Sequence, residues 1–194
     1  MKLLIGLTGL TGSGKSIAAK YFENLGAFVI DCDKLAHSVL FREEVKKEIK
    51  EKISSSVFDD FGNADRKKLG KIVFSDKKAL QTLNGIVHPA VTEEILRLAE
   101  NSKKDIVVID GSELEASGID KKCNHIVVVS ASPEVRLKRI MLRDGIDRET
   151  ALMRIQAQSP YSKEALIIEN NCDEKEFETA VKKIFNKFAE EINA

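Results

Sequence analysis

An α/β fold built on a five-stranded parallel sheet is predicted by three observations. Short apolar runs recur along the 194-residue chain, helical spacing fills the stretches between them, and a glycine-rich loop joins the first run to the first helix. The runs are Leu3 to Leu7, Ala27 to Ile30, Ile106 to Ile109, Ile126 to Val129 and Ala165 to Ile168. They are continuous rather than alternating, which suits strands covered by helices on both faces of a three-layer fold.

The first run, in "MKLLIGLTG", is too short for a signal peptide and lacks a small-residue cleavage site, so it reads as a buried strand. After the loop, Ala18, Ala19, Phe22 and Leu25 make an apolar helical stripe that Gly26 is placed to stop. From 34 to 104 no comparable strand occurs, and this stretch is expected to be a helical insertion. Within it Phe41, Val45, Ile49 and Ile53 recur every four residues, followed by the turn-forming "DDFGNAD" at Asp59 to Asp65. A second excursion, residues 132–159, begins with Ser132 as an N-cap and Pro133 at the first helical position. It is rich in arginine, and Arg136, Arg139 and Arg143 share one helical face, with Gly145 as a pivot.

Composition narrows the function. Lys plus Arg equals Asp plus Glu at 31 each, so no global field draws nucleic acid or an anionic membrane, and no apolar run is long enough to span a bilayer. An odd number of cysteines, Cys32, Cys123 and Cys172, with no paired or metal-ligand spacing, points to a reducing cytoplasm. A small-molecule partner is the expectation; the sequence does not set the oligomeric state.

Gly9, Leu10, Thr11, Gly12, Ser13, Gly14, Lys15 and Ser16 fit GxxxxGK[ST] between an expected strand and an expected helix. Backbone N–H groups of such a P-loop surround phosphate oxygens, Lys15 adds a point charge and Ser16 reaches magnesium, which marks a nucleoside triphosphate site with Mg²⁺. Downstream, "VIDCDKLAH" carries Asp31 and Asp33 two residues apart. In extended backbone they face the same side about 7 Å apart and repel by about 2 kcal/mol, an arrangement that favours a cation nearby. Asp31 is then a magnesium ligand and Asp33 a base facing a hydroxyl; the simpler alternative is that both cap the following helix. The arginine face either stabilises a transferring phosphoryl group as a lid or forms a solvated surface. Asp110, ending "IVVID", is either a magnesium-holding carboxylate or a helix cap, and His88 before Pro89 suits a structural contact.

These residues resemble the dephospho-CoA kinase family. The likeness rests on "GLTGLTGSGKS" at Gly6 to Ser16, "LGAFVIDCDKLAH" at Leu25 to His37, "DRKKLGKIVFSD" at Asp65 to Asp76, "IVHPAV" at Ile86 to Val91, "RIMLRDG" at Arg139 to Gly145 and "RIQAQ" at Arg154 to Gln158. It implies ATP-dependent phosphorylation of the ribose 3′-hydroxyl of dephospho-CoA, with Asp33 as catalytic base. It further implies Lys15 and Ser16 as phosphate and magnesium residues, Arg139 and Arg143 as lid arginines on the ATP phosphates, His88 near the CoA substrate, and Asn170 near adenine. The 34–104 insertion would bind the acceptor. The chain departs from the family's usual Pro-Leu-Leu-Phe-Glu stretch, reading "GSELEA" at Gly111 to Ala116. A kinase for another alcohol, nucleoside-like or shikimate-like, is the first rival. A nucleotide-driven switch is the second, although the N/T-K-x-D stretch of guanine-specific switches is missing.

Overall fold

The computed structural model describes residues 2–59, 62–171 and 173–194, so Cys172 and the centre of the Asp59–Asp65 turn lie outside the described residues. The chain divides into two compact units, residues 1–30 with 99–194, and residues 31–98. The first unit starts with β1 (Leu3–Thr8), α1 (Lys15–Asn24) and most of β2 (Phe28–Asp31). The second holds α2 (Cys32–Val39), α3 (Glu43–Lys52), α4 (Arg66–Ser75) and most of α5 (Lys77–Asn101). The chain then returns through β3 (Ile106–Asp110), α6 (Leu114–Ser117), β4 (His125–Ser130), α7 (Pro133–Asp144), α8 (Arg148–Gln156), β5 (Leu166–Glu169) and α9 (Glu174–Asn193).

All five apolar runs are strands, in the order β2-β3-β1-β4-β5. The strand β1 pairs in parallel with β3 and with β4, which sets Leu7 opposite Asp110 and Thr8 opposite Val128. Leu3, Ile5 and Leu7 are fully buried, and Phe22 of α1 with Phe177, Val181 and Phe188 of α9 closes the same core. The apolar stripe of α1 is as the sequence suggested. Ala18, Ala19 and Phe22 are buried, and Gly26 leaves the helix in the left-handed region at φ 108°, where glycine carries no Cβ penalty.

Ser132 caps α7 by accepting from the Val135 N–H, with Pro133 in the first turn, and Gly145 ends the helix at φ 62°. Asp147 then caps α8 through the Thr150 N–H. These two helices form a hairpin with its own small core of Leu137, Ile140 and Ala151.

In the second unit the four-residue spacing through α3 holds at Val45 and Ile49, which are buried, but fails at Phe41, which is 57% exposed. Arg42 is extended at φ −70° and ψ 136° and serves as the N-cap, so Phe41 lies ahead of the helix and its spacing is incidental. The Arg42 side chain instead turns to Glu94 of α5. Asp65 caps α4 by accepting from the Lys67 and Lys68 N–H groups. Among the described residues of the turn, Asp59 accepts from Asn63 N at 2.8 Å and Gly62 adopts φ 77°. No described helix is long and apolar enough to cross a membrane.

Candidate active site

Parallel register brings the carboxyl ends of β1 and β3 side by side, and the loop Gly9–Ser16 leaves from that edge. Two of its glycines, Gly12 at φ 79° and Gly14 at φ 98°, occupy a region that side chains disfavour, which is how the loop folds back on itself. Ser13 N donates to Leu10 O at 3.0 Å and closes the turn. Gly14 is the N-cap of α1, and no side chain among the described residues caps that helix. An uncapped N-terminus leaves backbone N–H groups and the positive end of the helix dipole for an anion. Lys15 reaches across to form an ion pair with Asp110 at the end of β3. That pairing takes the Asp110 carboxylate to the loop lysine; in the alternative reading it capped a helix.

The arginine face divides. Arg136, read from its stripe as lid or surface, is 6% exposed and donates from Nε to Thr11 O at 2.9 Å. Arg139 lies over the loop, with Nη1 at 3.4 Å from both Gly12 O and Ser13 O and Nη2 at 3.2 Å from Asn170 Oδ1. Arg143 points elsewhere: it is 61% exposed and pairs with Asp144, which also takes Arg154. Asn170, 3% exposed, donates from Nδ2 to Ser13 O at 2.8 Å, so both ends of its amide are spent on the loop and on Arg139. Gln158 accepts from Thr11 N at 2.7 Å. Spacing places Arg136 on the arginine face but reports neither its contact with Thr11 nor that of Gln158, because each is made with a residue more than a hundred positions away.

Within the second unit, the expectation that Asp31 and Asp33 form an extended pair is corrected. Helix α2 begins at Cys32, so Asp31 is its N-cap and Asp33 lies exposed in its first turn. Asp31 accepts from Lys34 N at 3.0 Å and lies 3.2 Å from the Lys34 ammonium. Partial burial pushes the Asp31 carboxyl up, but the Lys34 N–H and ammonium outweigh it and hold the group below its ordinary value. Cys32 opens α2 and is half-buried. One turn beyond Asp33, His37 Nε2 meets the Arg66 guanidinium. His88 is half-buried on α5, directly before the intrahelical Pro89.

The "GSELEA" stretch has a partner of its own. Glu115 accepts from Ser162 Oγ at 2.6 Å and Ser162 N at 3.2 Å, tying α6 to the chain that follows α8. No group of three or more His, Cys, Asp or Glu among the described residues is placed to hold a metal ion. Magnesium bound largely through substrate phosphates, with one hydroxyl and one carboxylate from the protein, needs no such group.

Comparison with known proteins agrees with this geometry. The family model for dephospho-CoA kinase (CoaE) matches residues 3–176. A dephospho-CoA kinase from Fusobacterium nucleatum is 40% identical over 194 residues, covering 98% of each chain. One from Aquifex aeolicus is 35% identical over 189 residues, covering 94% of this chain and 96% of its own. The structure of dephospho-CoA kinase from Campylobacter jejuni superposes with a TM-score of 0.70 at 26% identity over 98% of both chains. With the phosphate loop, the parallel sheet and nearly the whole length matched, the chain belongs to the dephospho-CoA kinase family.

Proposed function

We propose that this chain transfers the γ-phosphoryl group of ATP to the ribose 3′-hydroxyl of dephospho-CoA, giving coenzyme A and ADP in the final step of coenzyme A synthesis. The observation that carries the reading is the family match over residues 3–176, because it takes in both the phosphate loop and the Asp31–Asp33 segment. The loop Gly9–Ser16 holds the triphosphate, with Lys15 released from Asp110 to the phosphate oxygens. Magnesium suits the hard oxygen donors Ser16 and Asp110; bound there, it would neutralise phosphate charge. Asp31, first expected as a ligand, accepts from the Lys34 N–H as the N-cap of α2 and pairs with the Lys34 ammonium, so this reading gives the carboxylate position to Asp110.

Asp33 takes the proton of the 3′-hydroxyl as its oxygen attacks the γ-phosphorus, the bond to the β–γ bridging oxygen breaks, and ADP leaves. Lys15, Arg139 and Arg143 balance the charge that spreads over the transferring group. For Arg143 this requires movement away from Asp144, which assigns residues 132–159 the role of a lid that excludes water. Residues 34–104 supply the acceptor site, with His88 as a contact, and Asn170 serves the ATP site by holding the loop.

The test is acceptor-dependent ADP release with dephospho-CoA, adenosine, AMP and shikimate, with product mass determined. Turnover confined to dephospho-CoA, with a product one phosphate heavier, supports the reading; turnover on another acceptor in its place overturns it. Asp33→Asn should keep nucleotide affinity while turnover falls about 100-fold or more. Undiminished turnover would remove Asp33 as the base.

A further inference from the structure

Thr11 is gripped on both sides, by Arg136 of α7 and by Gln158 just past the end of α8. Its N–H donates to Gln158 Oε1 at 2.7 Å and its carbonyl accepts from Arg136 Nε at 2.9 Å. A peptide group is planar and trans, so its C=O and N–H point in opposite directions. Holding the Thr11 carbonyl toward α7 therefore turns the Gly12 N–H away from α7. Holding the Thr11 N–H toward Gln158 turns the Leu10 carbonyl the other way, where it receives Ser13 N at 3.0 Å. Together, two side chains fix the rotation of two successive peptide planes at the start of the phosphate loop.

The contact is close. A Cβ on Gly12 would stand 2.8 Å from the Arg136 carbonyl oxygen and 3.1 Å from its Cα, so the loop rests directly on the α7 backbone. Arg136 also carries a cost that filling space does not require. Its Nη2 is buried with no hydrogen-bond partner among the described residues, and burying a guanidinium pulls its proton affinity below the ordinary value. A methionine would fill the same volume without that penalty. Gln158 is similarly set apart, half-buried between exposed Ala157 and exposed Ser159.

We propose that Arg136 and Gln158 are positioning residues for phosphoryl transfer, which aim the Gly12 N–H at the nucleotide by fixing the peptide planes on either side of Thr11. The inference rests on the kinase reading above for its substrate, but its affinity arm does not need the acceptor.

The experiment compares the unaltered protein with Arg136→Met, Arg136→Lys, Gln158→Met and the Arg136→Met/Gln158→Met double variant. It measures KM for ATP and for dephospho-CoA, calorimetric Kd for ADP, and the thermal midpoint. Each methionine variant should raise KM for ATP and Kd for ADP about tenfold, the scale of one lost charged or buried hydrogen bond, with KM for dephospho-CoA within about twofold. Arg136→Lys, which keeps a charged N–H donor, should recover most of the loss. The double variant should lose less than the product of the singles, because both act on the same peptides. ADP affinity unchanged in both methionine variants would overturn the proposal. So would losses equal in Arg136→Met and Arg136→Lys that move both substrates together with the thermal midpoint, the pattern of a structural prop. If Arg136→Met does not fold, Gln158→Met alone carries the ADP measurement. If the unaltered protein binds ADP without turning over dephospho-CoA, the kinase reading fails while the ADP comparison still decides this one.

Discussion

At Gly14 a single added methyl group would stand 2.1 Å from Asn170 Nδ2, on a backbone already at φ 98°. Left-handed backbone costs a side-chain-bearing residue about 1–2 kcal/mol, and pushing Asn170 away breaks a buried hydrogen bond to Ser13 worth about 1–3 kcal/mol more. Gly14→Ala should therefore lower the thermal midpoint and abolish ADP binding in calorimetry; retained affinity would show that the loop tolerates another path. Such residues are legible because the loop's own sequence dictates its shape. Arg136 is the opposite case. Its contact with Thr11 spans 125 residues and that of Gln158 spans 147, so only the packing of α7 and α8 on the loop reveals them. Asp31 and Asp33 mislead in a third way: alternating D-C-D fits extended backbone as well as an N-cap, and the choice fell to the free N–H of Lys34.

Among the elements, the stretch after α8 is fastened by side chains rather than by backbone pairing. Asp120, nearly fully buried, receives the Lys163 ammonium and the Tyr161 hydroxyl, the latter at 3.2 Å. Burial pushes the Asp120 carboxyl up, but Lys163, Tyr161 and the Lys121 N–H outweigh it and hold the group below its ordinary value. Tyr161 is pushed up to about 12 by burial and by Asp120, and Cys123 beside it also to about 12, so its thiol stays protonated at neutral pH. A carboxyl whose folded-state pKa is depressed stabilises the fold above its unfolded value and loses that contribution as pH falls through the folded one. Asp120→Asn should thus cost about 1–3 kcal/mol in urea unfolding at pH 7, with the difference from the unaltered protein shrinking below about pH 4. A gap that persists undiminished in acid would mean that packing, not charge, makes the anchor. Helices and strands themselves were largely readable, since continuous apolar runs and caps such as Ser132 are local signals. Phe41 shows the limit: a period of four continues across a break that only the extended Arg42 backbone exposes.

For the molecule as a whole, ligand binding and stability are linked. A nucleotide that binds only the folded chain stabilises it by about 2.7 kcal/mol at one hundred times its Kd. The thermal midpoint should accordingly rise with ATP in the unaltered protein and much less in Lys15→Met, which removes the loop cation; equal shifts in both would place the nucleotide elsewhere. The α/β class and the five strands followed from patterning, but the order β2-β3-β1-β4-β5 did not, because neighbours in a parallel sheet are chosen by crossovers and by which helix covers which face. That order leaves β2 and β5 outermost, and each is only four residues long. Since alternate residues of an edge strand turn their N–H and C=O groups outward, each border offers a stray chain about two rungs to pair with. Brevity at the margins thus protects a hydrophobic sheet against stacking into aggregates, and it lets Ile167 remain on the surface at little risk.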